Sequence, residues 1–301
     1  MPTLIGGDIL IPGSFDYLVA KSVAEAVGLL EQHGDEAKIL AGGQSLIPLL
    51  RFLMAAPSVL IDINRIDGLE YIQETDGVLH IGALTREVAL DSSPLIRKRY
   101  PILLDTASVV ADPVVRNWAT VGGNIAHADP ANDHPATMLA LGAKVVAVGS
   151  TVQRIIPIDE FFTDSSFETS LRPNEILTEI RIPAPTERSG GAYFKLERKV
   201  GDYAIAGVAA YVTLDSNGQV NYAGIGLTNV GPTPLKARDA EQSLLGKALD
   251  DASIHEAAEL AAAAAQPTSD TRGPAEYKRA MIRTLTVRAL RKALTRMTGG
   301  E

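Results

Sequence analysis

Residues 120–133 read Thr-Val-Gly-Gly-Asn-Ile-Ala-His-Ala-Asp-Pro-Ala-Asn-Asp and put two adjacent glycines where a core-forming chain would put side chains. Gly122 and Gly123 contribute no side-chain volume, and each loses more backbone entropy on folding than any other residue. Such a pair serves where something must approach the backbone closely, or where successive N–H groups must point the same way. Oriented N–H groups form a concavity that holds a phosphate without any lysine. The tail from Asp129 to Asp133 adds side-chain acceptors, which suit the hydroxyl and amino groups of a ribose or an adenine. A diphosphate beside a sugar is the economical occupant; an ordinary Gly-Gly turn is the alternative.

Residues 41–45, Ala-Gly-Gly-Gln-Ser, repeat the pattern. They follow the short apolar run Ile39-Leu40 and precede an apolar helical segment beginning near Leu46. The order is strand, glycine loop, helix start, with N–H groups and the positive end of the helix dipole facing any bound anion. Two such loops from distant parts of the chain would clamp one diphosphate from both sides. As a pair they resemble the FAD-binding medium subunit of the molybdenum hydroxylases, the carbon monoxide dehydrogenase and xanthine dehydrogenase group, and the resemblance extends over essentially the whole chain. It implies that Ala41, Gly42, Gly43, Gln44, Ser45 and Leu46, together with Thr120, Gly122, Gly123 and Asn124, hold the FAD diphosphate. It assigns Asp133, with Asp129 nearby, to the adenosine end, whereas the residues alone make Asp133 a helix N-cap for 135–141. A segment at 198–204, Arg-Lys-Val-Gly-Asp-Tyr-Ala, is similar to one that lies near the flavin ring in the family. Tyr203 would then cover one face of the isoalloxazine, with Lys195, Arg198 or Lys199 near its polar edge. The alternative is a β-turn with solvated charges.

Composition narrows the chemistry. The chain of 301 residues contains no cysteine, which excludes disulfides, a cysteine nucleophile and any iron–sulfur cluster built on its own thiolates. Five histidines without a His-x-x-x-His pair argue against zinc, and His127 and His134 read as solvated or hydrogen-bonded rather than metal-binding. A net charge of −8 argues against nucleic acid. No apolar run is long enough for a membrane span, and the first basic residue is Lys21, so a cytoplasmic protein without a secretory signal is expected. Redox chemistry would rest on an organic cofactor.

The length predicts two or three domains. Ser22 to Glu25 reads as a capping box for a helix ended by Gly34. Strands are expected at 38–40 and 58–63, hairpins around Thr75-Asp76-Gly77 and Gly149-Ser150, helix starts at Thr85 and Ser93, and a helix over 101–110. Trp118 reads as a packed aromatic. The Pro- and Gly-containing stretch 184–191 marks a boundary. Antiparallel strands follow at 192–197, 205–214 and 220–227, in which Gly224 and Gly226 read as strand glycines. Helices are expected at 235–249, 253–265 and 274–297, the last with a solvated basic face from Arg283 to Arg296. The expected class is α+β. An FAD-binding domain at 1–180 would have two α/β subdomains, about 1–60 and 61–180, of the type shared with vanillyl-alcohol oxidase. A C-terminal domain of antiparallel sheet and helix bundle would occupy 181–301.

The function implied is electron relay through FAD, from an iron–sulfur small subunit beside a molybdenum-cofactor large subunit to an external acceptor. No side chain stands out as catalytic acid, base or nucleophile. The competing readings are a self-sufficient FAD oxidoreductase and a flavin-free scaffold subunit.

Overall fold

The computed structural model describes residues 12–299 and has mixed helix and sheet in three consecutive regions. In the first, β1 (Asp16–Val19), α1 (Val23–His33), β2 (Ala37–Leu40), α2 (Leu46–Arg51) and β3 (Val59–Asp62) form a parallel sheet of order β1-β3-β2. β3 is buried along its whole length, as a central parallel strand must be. Ser22 caps α1 by accepting from the Glu25 N–H, while the Glu25 carboxylate takes the Lys21 N–H rather than that of Ser22. Gly34 ends the helix at φ 54°.

The second region holds β4 (Ile72–Thr75) and β5 (Val78–Gly82), then six helices: α3 (Glu87–Ser92), α4 (Pro94–Arg99), α5 (Pro101–Val109), α6 (Pro113–Arg116), α7 (Val121–His127) and α8 (Asp133–Leu141). β6 (Lys144–Val148), β7 (Gln153–Pro157) and β8 (Ile176–Pro183) complete an antiparallel sheet of order β4-β5-β8-β6-β7. Asp76 and Gly77, at φ 50° and 74°, make the tight β4–β5 turn that the sequence predicts. Thr85 starts no helix. Its hydroxyl donates to Tyr71 O at 2.9 Å, and α3 begins at Glu87.

The third region is a sheet of order β12-β11-β10-β9, built from β9 (Ser189–Leu196), β10 (Ala206–Leu214), β11 (Val220–Thr228) and β12 (Leu235–Lys236). α9 (Arg238–Leu244), α10 (Asp251–Ala264) and α11 (Ala275–Met297) follow. The helix expected over 235–249 is thus shorter. Its start is strand β12, and beyond Leu244 the chain turns away where Gly246, at φ 73°, donates its N–H to Val220 O. The glycines read as a boundary at 190–191 belong to β9: a Cβ on Gly190 would lie 2.1 Å from Ala293 O, so α11 rests directly on strand backbone. Arg296 is not a solvated member of a basic face. It pairs with Asp105 of α5 at 2.6 Å and donates to Gly191 O at 2.6 Å.

This last sheet has helices on both faces. Ile225 and Leu227 join the core under α9, α10 and α11, while the intervening Gly224 and Gly226 meet the backbone of α8. A Cβ on Gly226 would lie 2.0 Å from Ala136 O, and one on Gly224 would lie 1.9 Å from Ala140 O. Both partners are main chain and no rotamer relieves the overlap. Gly226→Ala should therefore cost about 3 kcal/mol of stability. A chemical denaturation midpoint equal to that of the parent would show that α8 does not lie on β11 in this way.

Candidate functional site

β2 ends at Leu40 and the chain passes through Ala41, Gly42 and Gly43 into α2. A Cβ on Gly42 would lie 2.3 Å from Trp118 O and 2.9 Å from Ala119 Cα. The first glycine stretch is therefore pressed against the backbone that leads into the second, a contact that any side chain forbids. A Cβ on Gly123 would come within 3.8 Å of the Ala41 side chain, so the two stretches form one junction. Polar side chains tie it together. Asn64 donates to Ala41 O and to Asp62, each at 2.7 Å, while Arg86 donates to Asn64 Oδ1 at 2.7 Å and to Trp118 O at 3.3 Å. Tyr17 donates to the far oxygen of Asp62. Burial pushes the Asp62 carboxyl up, but the bonds from Tyr17 and Asn64 together hold it below the usual carboxylate range. Trp118 itself is 60% exposed, not a packed aromatic.

The two stretches use their N–H groups differently, which corrects the expectation of a clamp with N–H donors on both sides. Thr120 is the N-cap of α7, its hydroxyl accepting from the Gly123 N–H at 3.2 Å. The Gly122 N–H donates to Ala83 O at 3.0 Å, and the Asn124 N–H to Thr120 O at 2.9 Å. The second stretch is thus a helix start whose glycine N–H groups already have partners. Gly122 is explained by packing, because a Cβ there would lie 2.7 Å from the Ala83 backbone. In the first stretch the helical ladder begins only where the Ile47 N–H donates to Gly43 O at 3.0 Å, so the N–H groups just before Ile47 are not used by the helix. Gly43 turns the chain at φ 72°, and the Gln44 side chain donates back to Gly42 O at 3.0 Å. Ser45 adopts helical backbone without a side-chain capping bond, and α2, from Leu46 to Arg51, is only six residues long.

The second stretch contributes an acceptor instead. Asn124 Oδ1 is buried with no hydrogen-bond partner among the described residues, while the Asn124 carbonyl accepts from Asn132 Nδ2 at 3.0 Å. A buried amide oxygen left unmatched costs about 1–3 kcal/mol, so its surroundings suit a donor group from a bound molecule.

Asp133 and Lys195 do not face a ligand. Asp133 is the first residue of α8, and its oxygens accept from Tyr193 Oη at 2.6 Å and Lys195 Nζ at 3.0 Å. Lys195 also donates to Val109 O at 2.9 Å and lies 3.4 Å from Glu197, with its side chain only 2% exposed. This interior ion pair binds β9 to α8, so Asp133 neither caps the helix nor reaches outward. Burial pushes its carboxyl above the usual range, with the Lys195 charge opposing. Asp129 accepts from the Ala131 N–H at 2.8 Å in a local turn. Tyr203 is 45% exposed on the β9–β10 loop; burial raises its phenol pKa, and the charge of Asp129 adds to the effect. The structure thus joins the stretches 41–43 and 118–123, sets Asp129 near Tyr203, and withdraws Asp133 and Lys195 into the interior.

His134 is buried against Glu87 at 2.7 Å, and His127 packs against Phe167 with ring centroids 5.4 Å apart and the planes tilted by 50°. Among the described residues no cluster of His, Asp or Glu is placed to hold a metal. Asn64, Arg86 and Tyr193 were not legible as site residues. Each acts through a partner far along the chain, and nothing local in the sequence marks them.

The family model described as the FAD binding domain in molybdopterin dehydrogenase matches residues 13–185. The chain belongs to the FAD-binding medium chains of the molybdenum hydroxylase family. A second model, the CO dehydrogenase flavoprotein C-terminal domain, matches residues 191–293 of this medium chain. Among its relatives, the carbon monoxide dehydrogenase medium chain of Hydrogenophaga pseudoflava is 46% identical, with 95% of this chain and 99% of the relative aligned. Subunit alpha of the 6-hydroxypseudooxynicotine dehydrogenase complex of Paenarthrobacter nicotinovorans is 43% identical over 95% and 96% of the two chains. The solved structure of carbon monoxide dehydrogenase from Hydrogenophaga pseudoflava, lacking the Mo-pyranopterin moiety, superposes with a TM-score of 0.92 at 47% identity, covering 95% of this chain and 99% of that one. These relatives are chains of dehydrogenases, and this medium chain is an oxidoreductase subunit of the same kind.

The different roles of the two stretches separate two substitutions. Gly122→Val would drive a branched side chain into the Ala83 backbone and should cost about 3 kcal/mol or more of folding stability. Gly43→Val meets chiefly the movable end of Ile47, besides its strained positive φ, and should cost about 1–2 kcal/mol. Equal losses in urea denaturation would contradict this division.

Proposed function

We propose that this medium chain relays electrons within a molybdenum hydroxylase. It would take them from iron–sulfur clusters of a small partner subunit, downstream of a molybdenum cofactor in a large partner, and pass them to an external acceptor. The observation that carries the reading is the junction of 41–46 with 118–124, which a Cβ on Gly42 would break. The N–H groups of Gly43, Gln44, Ser45 and Leu46 hold the diphosphate of FAD. Asn124 Oδ1 accepts from the same molecule. Asp129 offers an acceptor, and Tyr203 covers one face of the isoalloxazine. FAD supplies the electron chemistry when bound; the chain supplies binding, orientation and tuning. No cysteine is available for a thioether link to the flavin or for cluster thiolates, so the clusters belong to a partner.

The purified chain should carry one FAD per polypeptide, released unmodified by acid, as read by absorbance and mass spectrometry. FMN, or no flavin after reconstitution, would refute the cofactor assignment. The flavin-loaded chain alone should turn over no hydroxylation substrate, and substrate should reduce its flavin only once cluster-bearing and molybdenum-bearing partners are added. Substrate turnover by the metal-free single chain would overturn the relay.

A further inference from the structure

The β9–β10 loop that carries Tyr203 is gripped by a residue of the α10–α11 connection. Arg272 places its guanidinium carbon 5.8 Å from the centroid of the Tyr203 ring, within the range of a cation–π contact. The same guanidinium donates to Asp202 Oδ1 at 3.3 Å, and that oxygen also accepts the Tyr203 backbone N–H at 2.9 Å. One carboxylate oxygen therefore joins the backbone of Tyr203 to the cation on its ring. Hydrogen bonding to Arg272 is the main reason that the Asp202 carboxyl lies below its usual range.

The segment bearing Arg272 is itself anchored. Asp270 Oδ1 accepts from the Arg272 N–H at 2.8 Å and from the Gly273 N–H at 3.2 Å. Asp270 Oδ2 pairs at 2.7 Å with Lys278, a lysine of α11 whose side chain is 2% exposed. Arg272 Nε is buried with no partner among the described residues, so the guanidinium is held by its outer nitrogen and by the aromatic ring. Gly201, immediately before Asp202, presses the loop onto the second region, where a Cβ would lie 2.8 Å from Ala111 O. With the loop held at Gly201 and Asp202 and a cation on one face of the ring, the exposed remainder of Tyr203 is the side left for a planar ligand.

We propose that Arg272 is a positioning residue: its guanidinium, clamped by Asp202, fixes the Tyr203 ring against the flavin and places a positive charge behind it. This rests on the reading above, in which Tyr203 covers the isoalloxazine. The charge favours the reduced flavin, which carries more negative charge than the oxidised form. Lysine does not replace this function in full, because only the planar guanidinium can stack on the ring while bonding Asp202 sideways.

The experiment uses the FAD-loaded full chain with Arg272→Met, Arg272→Lys, Tyr203→Ala and the double variant Arg272→Met/Tyr203→Ala. Flavin fluorescence, the FAD dissociation constant and the flavin midpoint potential are measured, with circular dichroism melting to check the fold. A stacked phenol quenches flavin emission, so Tyr203→Ala should raise it. Arg272→Met should raise emission toward the same level, weaken FAD about 2- to 5-fold and shift the potential to more negative values. Arg272→Lys should recover the potential more than the emission, and the double variant should be no brighter than Tyr203→Ala alone. Should Arg272→Met not fold, Asp202→Asn loosens the same guanidinium and should also raise emission, while loss of the carboxylate charge shifts the potential to more positive values. If Tyr203→Ala raises emission while the Arg272 and Asp202 variants leave emission and potential unchanged, the positioning role is wrong and the placement of Tyr203 stands. Additive effects on emission in the double variant would also refute it. Unchanged emission in Tyr203→Ala would remove both the placement of Tyr203 and the inference built on it.

Discussion

A single close approach of backbone to backbone organises the site. Gly42 lies against Trp118 O and Ala119 Cα at distances that leave no room for a Cβ. Through that contact the small parallel sheet of the first region meets the helix start of the second, although the two are far apart in sequence. Arg86 and Asn64 reinforce it by bridging Ala41 O to Trp118 O. Because both surfaces are main chain, the junction cannot relax by changing rotamers, and the residues on either side inherit its precision.

The junction assigns different tasks to two sequence patterns that look alike. At 43–46 the N–H groups precede the helical ladder and are not used by it, in a turn held by Gln44. At 122–124 the equivalent groups are bonded to Ala83 and Thr120, and the stretch contributes a bare surface and the unmatched Asn124 oxygen. The charges that seemed poised to meet a ligand, Asp133 and Lys195, instead neutralise each other between α8 and β9. A buried pair of this kind resists removal of either partner more than it adds net stability, because the group left behind would be an unpaired interior charge. Its role is to hold the C-terminal sheet, and hence the Tyr203 loop, in fixed relation to α8.

Much of the fold was legible because its signals are local. The segments 205–214 and 220–227 read as the antiparallel strands β10 and β11, Asp76-Gly77 gave its hairpin, and Ser22 and Ser93 gave helix starts whose caps the structure shows. The glycine pairs marked the junction of the two stretches. What they did in it was not legible, because a glycine needed for a ligand and one needed for packing leave the same letter in the sequence. Gly122 and Gly190 are of the packing kind, and only the positions of Ala83 and Ala293 reveal it. The orientation of Asp133 was hidden for a similar reason: its partners Tyr193 and Lys195 lie on a strand of another region. Trp118 was misread because aromatic residues are usually buried, whereas here the main chain, not the indole, makes the contact.

The central claim is that the diphosphate is held by the N–H groups of 43–46 and not by those of 122–123. Amide hydrogen exchange, resolved residue by residue by NMR on flavin-free and FAD-loaded protein, tests it directly. The account requires that the amides of Gly43, Gln44, Ser45 and Leu46 gain protection on loading, while those of Gly122 and Gly123, already bonded to Ala83 and Thr120, exchange slowly in both states. Protection gained at Gly122 and Gly123 with none at 43–46 would contradict it.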